Sequence, residues 1–143
     1  MTIARVDFYV LNSEDPGLLR VTACRLVEKI YKQGLSIFIC TENDEEAARM
    51  DDLLWTFRQA SFVPHERMGS HDAMTPVLVG SQEVVPSQGM DVFVNLAEKV
   101  PSGIENFRRI ADLVDQTPAV RQAGRQRYRT YQSQGLELHT HTL

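Results

Sequence analysis

The sequence lacks the features that mark membrane, secreted or disulfide-stabilised proteins. No apolar stretch approaches the roughly 18 residues of a bilayer-spanning helix, and the first residues lack the basic and apolar regions of a secretory signal. Only two cysteines occur in the 143 residues, Cys24 and Cys40, and we expect buried reduced thiols and not a disulfide. These absences predict a cytoplasmic protein that does not contact membranes. The length of 143 residues and the hydrophobic content of 43 % predict one domain over residues 1–143.

Catalytic and cofactor motifs are missing as well. The first predicted strand leads into residues 12–17, NSEDPG, whose two carboxylates would repel phosphate where a glycine-rich loop would bind it. The four histidines do not form a metal-ligand set, and no serine or cysteine lies in a nucleophile motif. We therefore predict no catalytic residue, metal or cofactor. A nucleotide- or phosphate-binding enzyme on a Rossmann-like scaffold stays open as the alternative.

Apolar periodicity predicts strands that alternate with helices. The expected strands are residues 3–11, 35–40, 77–80, 91–96 and 136–140, with a short extended piece at 62–65 and a frayed tail after 140. The expected helices are residues 18–33, 43–57, 104–114 and 118–134. This alternation is typical of a three-layer α/β/α domain with a largely parallel central sheet, Rossmann-like but without a nucleotide-binding motif.

Positive charge is concentrated in the last predicted helix. The net charge of the chain is −4, which argues against bulk affinity for nucleic acid, but residues 116–135 hold four arginines and no carboxylate. Arg121, Arg125 and Tyr128 recur at helical spacing and should share one face. Two guanidiniums one turn apart can bind a carboxylate, and the tyrosine offers a wall for an apolar side chain. A peptide with an apolar last residue and a free carboxylate would satisfy both; the alternative is a solvated basic helix.

Aromatic residues are concentrated around residues 53–63. This stretch holds the only tryptophan, Trp55, and Phe62 follows seven positions later, just before Pro64. One interpretation is a core helix that runs into a core strand. The other is an exposed aromatic patch that docks a partner. We expect His65, next along the chain, to make a structural hydrogen bond.

Two motifs in these segments resemble the chi subunit family of bacterial DNA polymerase III. They are SFVPH at residues 61–65, preceded by LLW at 53–55, and RQRYRTY at residues 125–131, followed by Gly135. The order of predicted elements agrees with that family over nearly the whole chain.

The resemblance implies a non-catalytic adaptor of the clamp-loader complex that contacts DNA only indirectly. It implies that Arg121, Arg125 and Tyr128 bind the acidic carboxyl-terminal tail of single-stranded DNA-binding protein. It also implies that Trp55, Phe62, Val63 and Pro64 bind the psi subunit or a repair helicase. The family position that falls on Arg121 is lysine in well-known members, and arginine keeps its charge. Gly124 is expected to leave room for close approach at this helix.

Overall fold

The computed structural model describes residues 3–58, 62–69, 75–86 and 90–143. Within these ranges the chain forms seven strands, three helices and one 3₁₀ turn. The strands are β1 Arg5–Val10, β2 Ile37–Thr41, β3 His65–Arg67, β4 Val77–Ser81, β5 Val92–Asn95, β6 Arg109–Val114 and β7 Leu138–Thr142. The helices are α1 Pro16–Lys32, α2 Asp44–Thr56 and α3 Pro118–Ser133, and the 3₁₀ turn is Ile104–Asn106.

The strands form one sheet in the order β3-β4-β2-β5-β6-β1-β7, and each pairing within the described residues is parallel. Helices α1 and α2 cover one face over an aliphatic core that includes Val27, Ile39 and Leu54. Helix α3 covers the other face, where Phe38, Phe93 and other aromatic rings pack together. The predicted three-layer α/β/α class is confirmed. Strands buried on both faces carry the continuous apolar runs that a parallel sheet requires.

Local capping residues set where the helices begin. The Asp15 side chain accepts the Gly17 backbone N–H at 2.9 Å, so α1 begins at Pro16, two residues before the predicted start. Asn43 caps α2 in the same way by accepting the Glu46 N–H at 2.9 Å. Thr117 lies at the N-cap position of α3, but its hydroxyl donates to the Glu14 carbonyl oxygen instead.

The predicted helix over residues 104–114 is wrong. Only a 3₁₀ turn forms at its start, and β6 occupies residues 109–114 between β5 and β1. Ile110 points into the aromatic core under α3, whereas Ala111 and Leu113 point into the aliphatic core. Because β6 is buried on both faces, its apolar residues show no alternation, and a short apolar run of this kind also fits a helical pattern.

The carboxyl-terminal strand is longer than predicted, and the expected frayed tail is wrong. Strand β7 pairs with β1 through Thr142, which lies opposite Val10. The His141 ring stacks on Tyr9 with centroids 4.8 Å apart, and its Nε2 lies 2.8 Å from Asp7 Oδ1. Burial raises the pKa of Asp7, but hydrogen bonds from Arg5 and His141 outweigh burial and hold the pKa below its ordinary value.

Cys24 and Cys40 are both buried and unpaired, as expected. Burial raises the pKa of each thiol to about 12, so both stay protonated and unreactive near neutral pH. None of the helices in the described ranges combines the length and the hydrophobicity that crossing a bilayer requires.

A buried ion pair fixes α3 on the sheet. Asp112 of β6 accepts two hydrogen bonds from Arg127, at 2.9 Å from Nε and 2.8 Å from the terminal nitrogen, and both side chains are almost completely buried. The Tyr131 hydroxyl donates to the same carboxylate at 3.1 Å, and Arg127 also donates to the Glu98 carbonyl oxygen at 2.8 Å. Burial, followed by the charge of Asp112, raises the pKa of Tyr131 well above its ordinary value, so the phenol remains a donor.

Gly124 brings α3 close to the sheet. A Cβ at this position would lie 2.5 Å from Val114 Cγ1 of β6. The room that Gly124 was expected to provide is therefore filled by Val114 of the same chain.

We predict that Arg127→Met lowers the free energy of unfolding by about 3–5 kcal/mol, because it leaves the Asp112 carboxylate buried without its cation. Urea unfolding followed by circular dichroism measures the change. Arg129→Met is the matched control, since Arg129 is exposed on the same helix and its loss should change stability by less than about 0.5 kcal/mol. Equal stabilities of the two variants would contradict this role for the pair.

We predict that Gly124→Ala destabilises the protein by about 1–3 kcal/mol, although alanine is ordinarily the better helix former by about 1 kcal/mol. The reason is the overlap of the new methyl group with Val114. In a double-mutant cycle with Val114→Ala, the alanine at 124 should become neutral or stabilising. If its cost were the same in both backgrounds, the steric explanation would fail.

Candidate functional site

The three residues predicted on α3 open onto one groove between the helix and the sheet edge. We call it the α3 groove; its volume is about 210 Å³. It is lined by Phe8, Val10, Val114, Gln116, Arg121, Gly124, Arg125, Tyr128 and Thr140. The structure therefore brings Arg121, Arg125 and Tyr128 together, as the helical spacing predicted.

The floor of the α3 groove is apolar and its rim is basic. Phe8 and Val10 of β1 and Val114 of β6 form the floor. The Tyr128 ring packs against the Phe8 ring with centroids 5.2 Å apart, which holds the tyrosine as one wall. An apolar side chain that enters the groove would contact apolar side chains on several sides, with the Arg121 and Arg125 guanidiniums at the rim.

The two rim arginines are available to a ligand. Arg125 is exposed and forms no ion pair or side-chain hydrogen bond within the described residues. Arg121 is also exposed, and its one side-chain hydrogen bond in that part of the chain is to Gln116 Oε1, at 3.4 Å. Arg5 and Arg67, by contrast, are each engaged by an aspartate. The alternative of a plain solvated basic helix leaves this apolar groove beneath the arginines unexplained.

Sequence reasoning missed the residues that other elements contribute to the groove. Phe8 and Val10 come from β1, Val114 from β6, Thr140 from β7, and Gln116 from the turn before α3. Strands β1 and β7 were predicted as strands and β6 as a helix, but no local signal indicated that these elements would lie beside α3. The packing of distant segments brought these five side chains to Arg121 and Arg125.

A second surface carries the aromatic residues predicted around Trp55. Trp55 is 55 % exposed and Phe62 is 64 % exposed, with ring centroids 5.7 Å apart. We call Trp55, Phe62 and the half-buried Pro64 the aromatic patch. These rings do not belong to the core, so the predicted exposure is confirmed, and docking of a partner on them stays a prediction. The prediction that Val63 contacts a partner is wrong, because its side chain is completely buried in the aliphatic core.

His65 supports the aromatic patch by hydrogen bonding, as predicted. Its Nδ1 lies 2.6 Å from the Val63 carbonyl oxygen, and its Nε2 lies 3.2 Å from the Asp51 carbonyl oxygen. The Trp55 ring lies against the imidazole, with centroids 4.6 Å apart. His65 therefore ties the segment that presents Phe62 to the helix that presents Trp55.

A nucleotide site is not supported at the place where this sheet would form one. Open α/β sheets bind nucleotides at the carboxyl ends of their strands. Here the crevice at the ends of β2, β5 and β6, about 290 Å³ in volume, is lined by Glu42, Glu98 and Arg127 among mainly apolar residues, and Arg127 is already paired with Asp112. The α1 N-terminus is already capped by the Asp15 carboxylate. No group of three histidine, cysteine or acidic side chains in the part of the chain that the structure describes is placed to hold a metal ion.

The fold resembles a solved structure of a much longer chain. The crystal structure of T4 UvsW aligns with a TM-score of 0.72 over 99 % of this chain and 41 % of that chain, at 12 % sequence identity. At this identity the likeness concerns the fold alone.

Curated relatives match over nearly their whole length. DNA polymerase III subunit chi of Pseudomonas aeruginosa is 39 % identical over 141 residues, which are 99 % of this chain and 98 % of that protein. The corresponding subunit of Haemophilus influenzae is 28 % identical over 135 residues, or 94 % of each chain. That of Escherichia coli K12 is 27 % identical over 140 residues, or 94 % of this chain and 95 % of the relative.

The family model described as "DNA polymerase III chi subunit, HolC" matches residues 3–139. Together with the full-length relatives, this match shows that the chain belongs to the DNA polymerase III chi subunit family.

Proposed function

We propose that this chi-family protein is a non-catalytic adaptor with two docking surfaces. The α3 groove binds the acidic carboxyl-terminal tail of single-stranded DNA-binding protein, and the aromatic patch binds psi or a repair helicase. The observation that carries the proposal is the placement of two available guanidiniums, Arg121 and Arg125, over one small apolar groove walled by Tyr128. The protein would thereby connect the polymerase complex to template covered by the single-stranded DNA-binding protein.

The chemistry of the α3 groove suits a peptide with an apolar last residue and a free carboxylate. The floor of Phe8, Val10 and Val114 would accept one apolar side chain, and its burial would drive part of the binding. Charge-assisted hydrogen bonds from Arg121 and Arg125 would hold carboxylates at the mouth. A groove of about 210 Å³ has room for a terminal side chain and not for a folded domain.

The position of the two surfaces suits a linking role. The α3 groove lies at the β1 and β7 edge of the sheet, on the face that α3 covers. The aromatic patch lies beside β3 at the opposite edge, next to α2 on the other face. Because the two surfaces share no residues, both partners can bind at the same time.

Direct reading of DNA is less consistent with the surface. Single-strand binding uses a basic groove with several aromatic side chains on which bases stack. The exposed rings Trp55 and Phe62 lie at the other edge of the sheet from Arg121 and Arg125, and the net charge is −4. These features favour contact with DNA through a partner protein.

We predict that Arg125→Ala weakens binding of a synthetic tail peptide by about 1–3 kcal/mol, because it removes a charge-assisted hydrogen bond. Isothermal titration calorimetry measures the affinity, which should also fall with added salt. Arg25→Ala is the matched control: Arg25 is exposed on α1, which covers the opposite face of the sheet, and its loss removes the same charge. Equal affinities for the Arg125 and Arg25 variants would refute the assignment.

We predict that Trp55→Ala and Phe62→Ala each weaken binding of psi or the helicase by about 2 kcal/mol or more, as for aromatic anchors of an interface. Binding of the tail peptide should stay unchanged in both variants. Val84→Ala is the control, because Val84 is 60 % exposed and lies away from the patch. The proposal for this surface fails if psi and the helicase each bind the two aromatic variants as tightly as they bind Val84→Ala.

A further inference from the structure

Gln116 occupies a fixed position at one end of the α3 groove. Its backbone N–H donates to the Ser13 carbonyl oxygen at 2.7 Å, and its side-chain Nε2 donates to the Leu11 carbonyl oxygen at 3.1 Å. These two bonds tie the turn before α3 to the end of β1. The side-chain amide therefore lines the groove in one orientation.

The neighbours of Gln116 settle which way its amide faces. The Leu11 carbonyl oxygen can only accept a hydrogen bond, so the amide nitrogen must face it. The Arg121 guanidinium can only donate, so the amide oxygen must face Arg121, at 3.4 Å. Reversing the amide would set acceptor against acceptor and donor against donor.

This orientation leaves two groups for a ligand. At 3.4 Å the bond to Gln116 is long and weak, so it keeps Arg121 over the groove without competing strongly for its charge. The Nε2 of Gln116 has a second hydrogen, which no acceptor within the described residues takes. A carboxylate at this end of the groove can accept from both groups.

We propose that Gln116 is a positioning and ligand-binding residue of the α3 groove. Its Oε1 positions Arg121, and its second amide hydrogen binds a carboxylate of the acidic peptide. This inference rests on the proposed function of the groove and extends it to a residue outside the two sequence motifs. The amide is the required group. A carboxylate here would form an internal ion pair with Arg121 and repel the peptide, and an apolar side chain could neither position Arg121 nor donate a hydrogen bond to the peptide.

The test uses Gln116→Met and Gln116→Glu in the full chain, with a synthetic peptide of the single-stranded DNA-binding protein tail as probe. Gln116→Met should weaken binding about tenfold, the usual loss for a hydrogen bond to a charged group. Gln116→Glu should weaken it by at least as much, with a shallower dependence on salt, because Arg121 is then neutralised internally. Gln126→Met and Gln126→Glu are the matched controls: Gln126 is exposed on α3, does not line the groove, and should leave affinity nearly unchanged.

A double-mutant cycle with Arg121→Ala separates positioning from a general loss of structure. The effect of Gln116→Met should shrink in the Arg121→Ala background, because the residue no longer has an arginine to position. An effect of the same size in both backgrounds overturns the positioning role. Urea unfolding checks that each variant is folded at the binding temperature. If Gln116→Met is unfolded at that temperature, the proposal is tested with Gln116→Glu alone.

The outcomes also distinguish this inference from the proposed function on which it depends. If the unmodified protein does not bind the peptide, the proposed function and this inference both fail. If Arg125→Ala weakens binding while both Gln116 variants bind like the Gln126 controls, only the role of Gln116 is overturned.

Discussion

The ion pair between Asp112 and Arg127 is the contact on which the candidate site depends. It joins the interior strand β6 to α3 inside the protein, and Tyr131 donates to the same carboxylate. Burying two charges costs free energy that only close bidentate geometry and further hydrogen bonds repay, so few rotations of the helix can satisfy it. With Arg127 and Tyr131 held inward, the helical repeat turns Arg121, Arg125 and Tyr128 to the outer edge. One buried contact thus determines which arginines of this helix stay available to a partner.

The depth of the α3 groove follows from a second constraint. Gly124 lets the helix backbone approach Val114, and this approach places the helix beside the β1 residues Phe8 and Val10. Tyr128 completes the wall by packing on Phe8. The apolar floor is therefore part of the same core that stabilises the domain, and a bound side chain would extend that core outward.

The two candidate surfaces lie at the two edges of the parallel sheet: the α3 groove at the β1 and β7 edge, and the aromatic patch at the β3 edge. The crevice at the carboxyl ends of the strands, where related architectures bind nucleotides, is lined here by Glu42, Glu98 and Arg127 among mainly apolar residues. The one arginine is paired with Asp112, and the Glu42 carboxylate accepts the Glu98 backbone N–H at 2.7 Å. The sheet thus shares an open parallel architecture with nucleotide-binding domains, but carboxylates lie in the loop after β1 and at the strand ends. In the proposed function, partners would bind on the outside of the layers, to side chains that pack on the core.

Local sequence was enough to determine the fold class, the extent of α2, and the arginine face of α3, because each depends on residues within a few positions of one another. It placed the start of α1 two residues late, since the Asp15 cap was not recognised. It was not enough for β6, whose apolar residues fit a helix as well as a strand until β5 and β1 flank them. The local sequence also did not distinguish the exposed Phe62 from its buried neighbour Val63, because burial depends on which distant segments pack against each side chain. The groove itself, with Phe8, Gln116 and Thr140 around the arginines, exists only through tertiary packing. Those residues lie far apart along the chain, and only the β1–β6–β7 pairing and the buried ion pair bring them to one place.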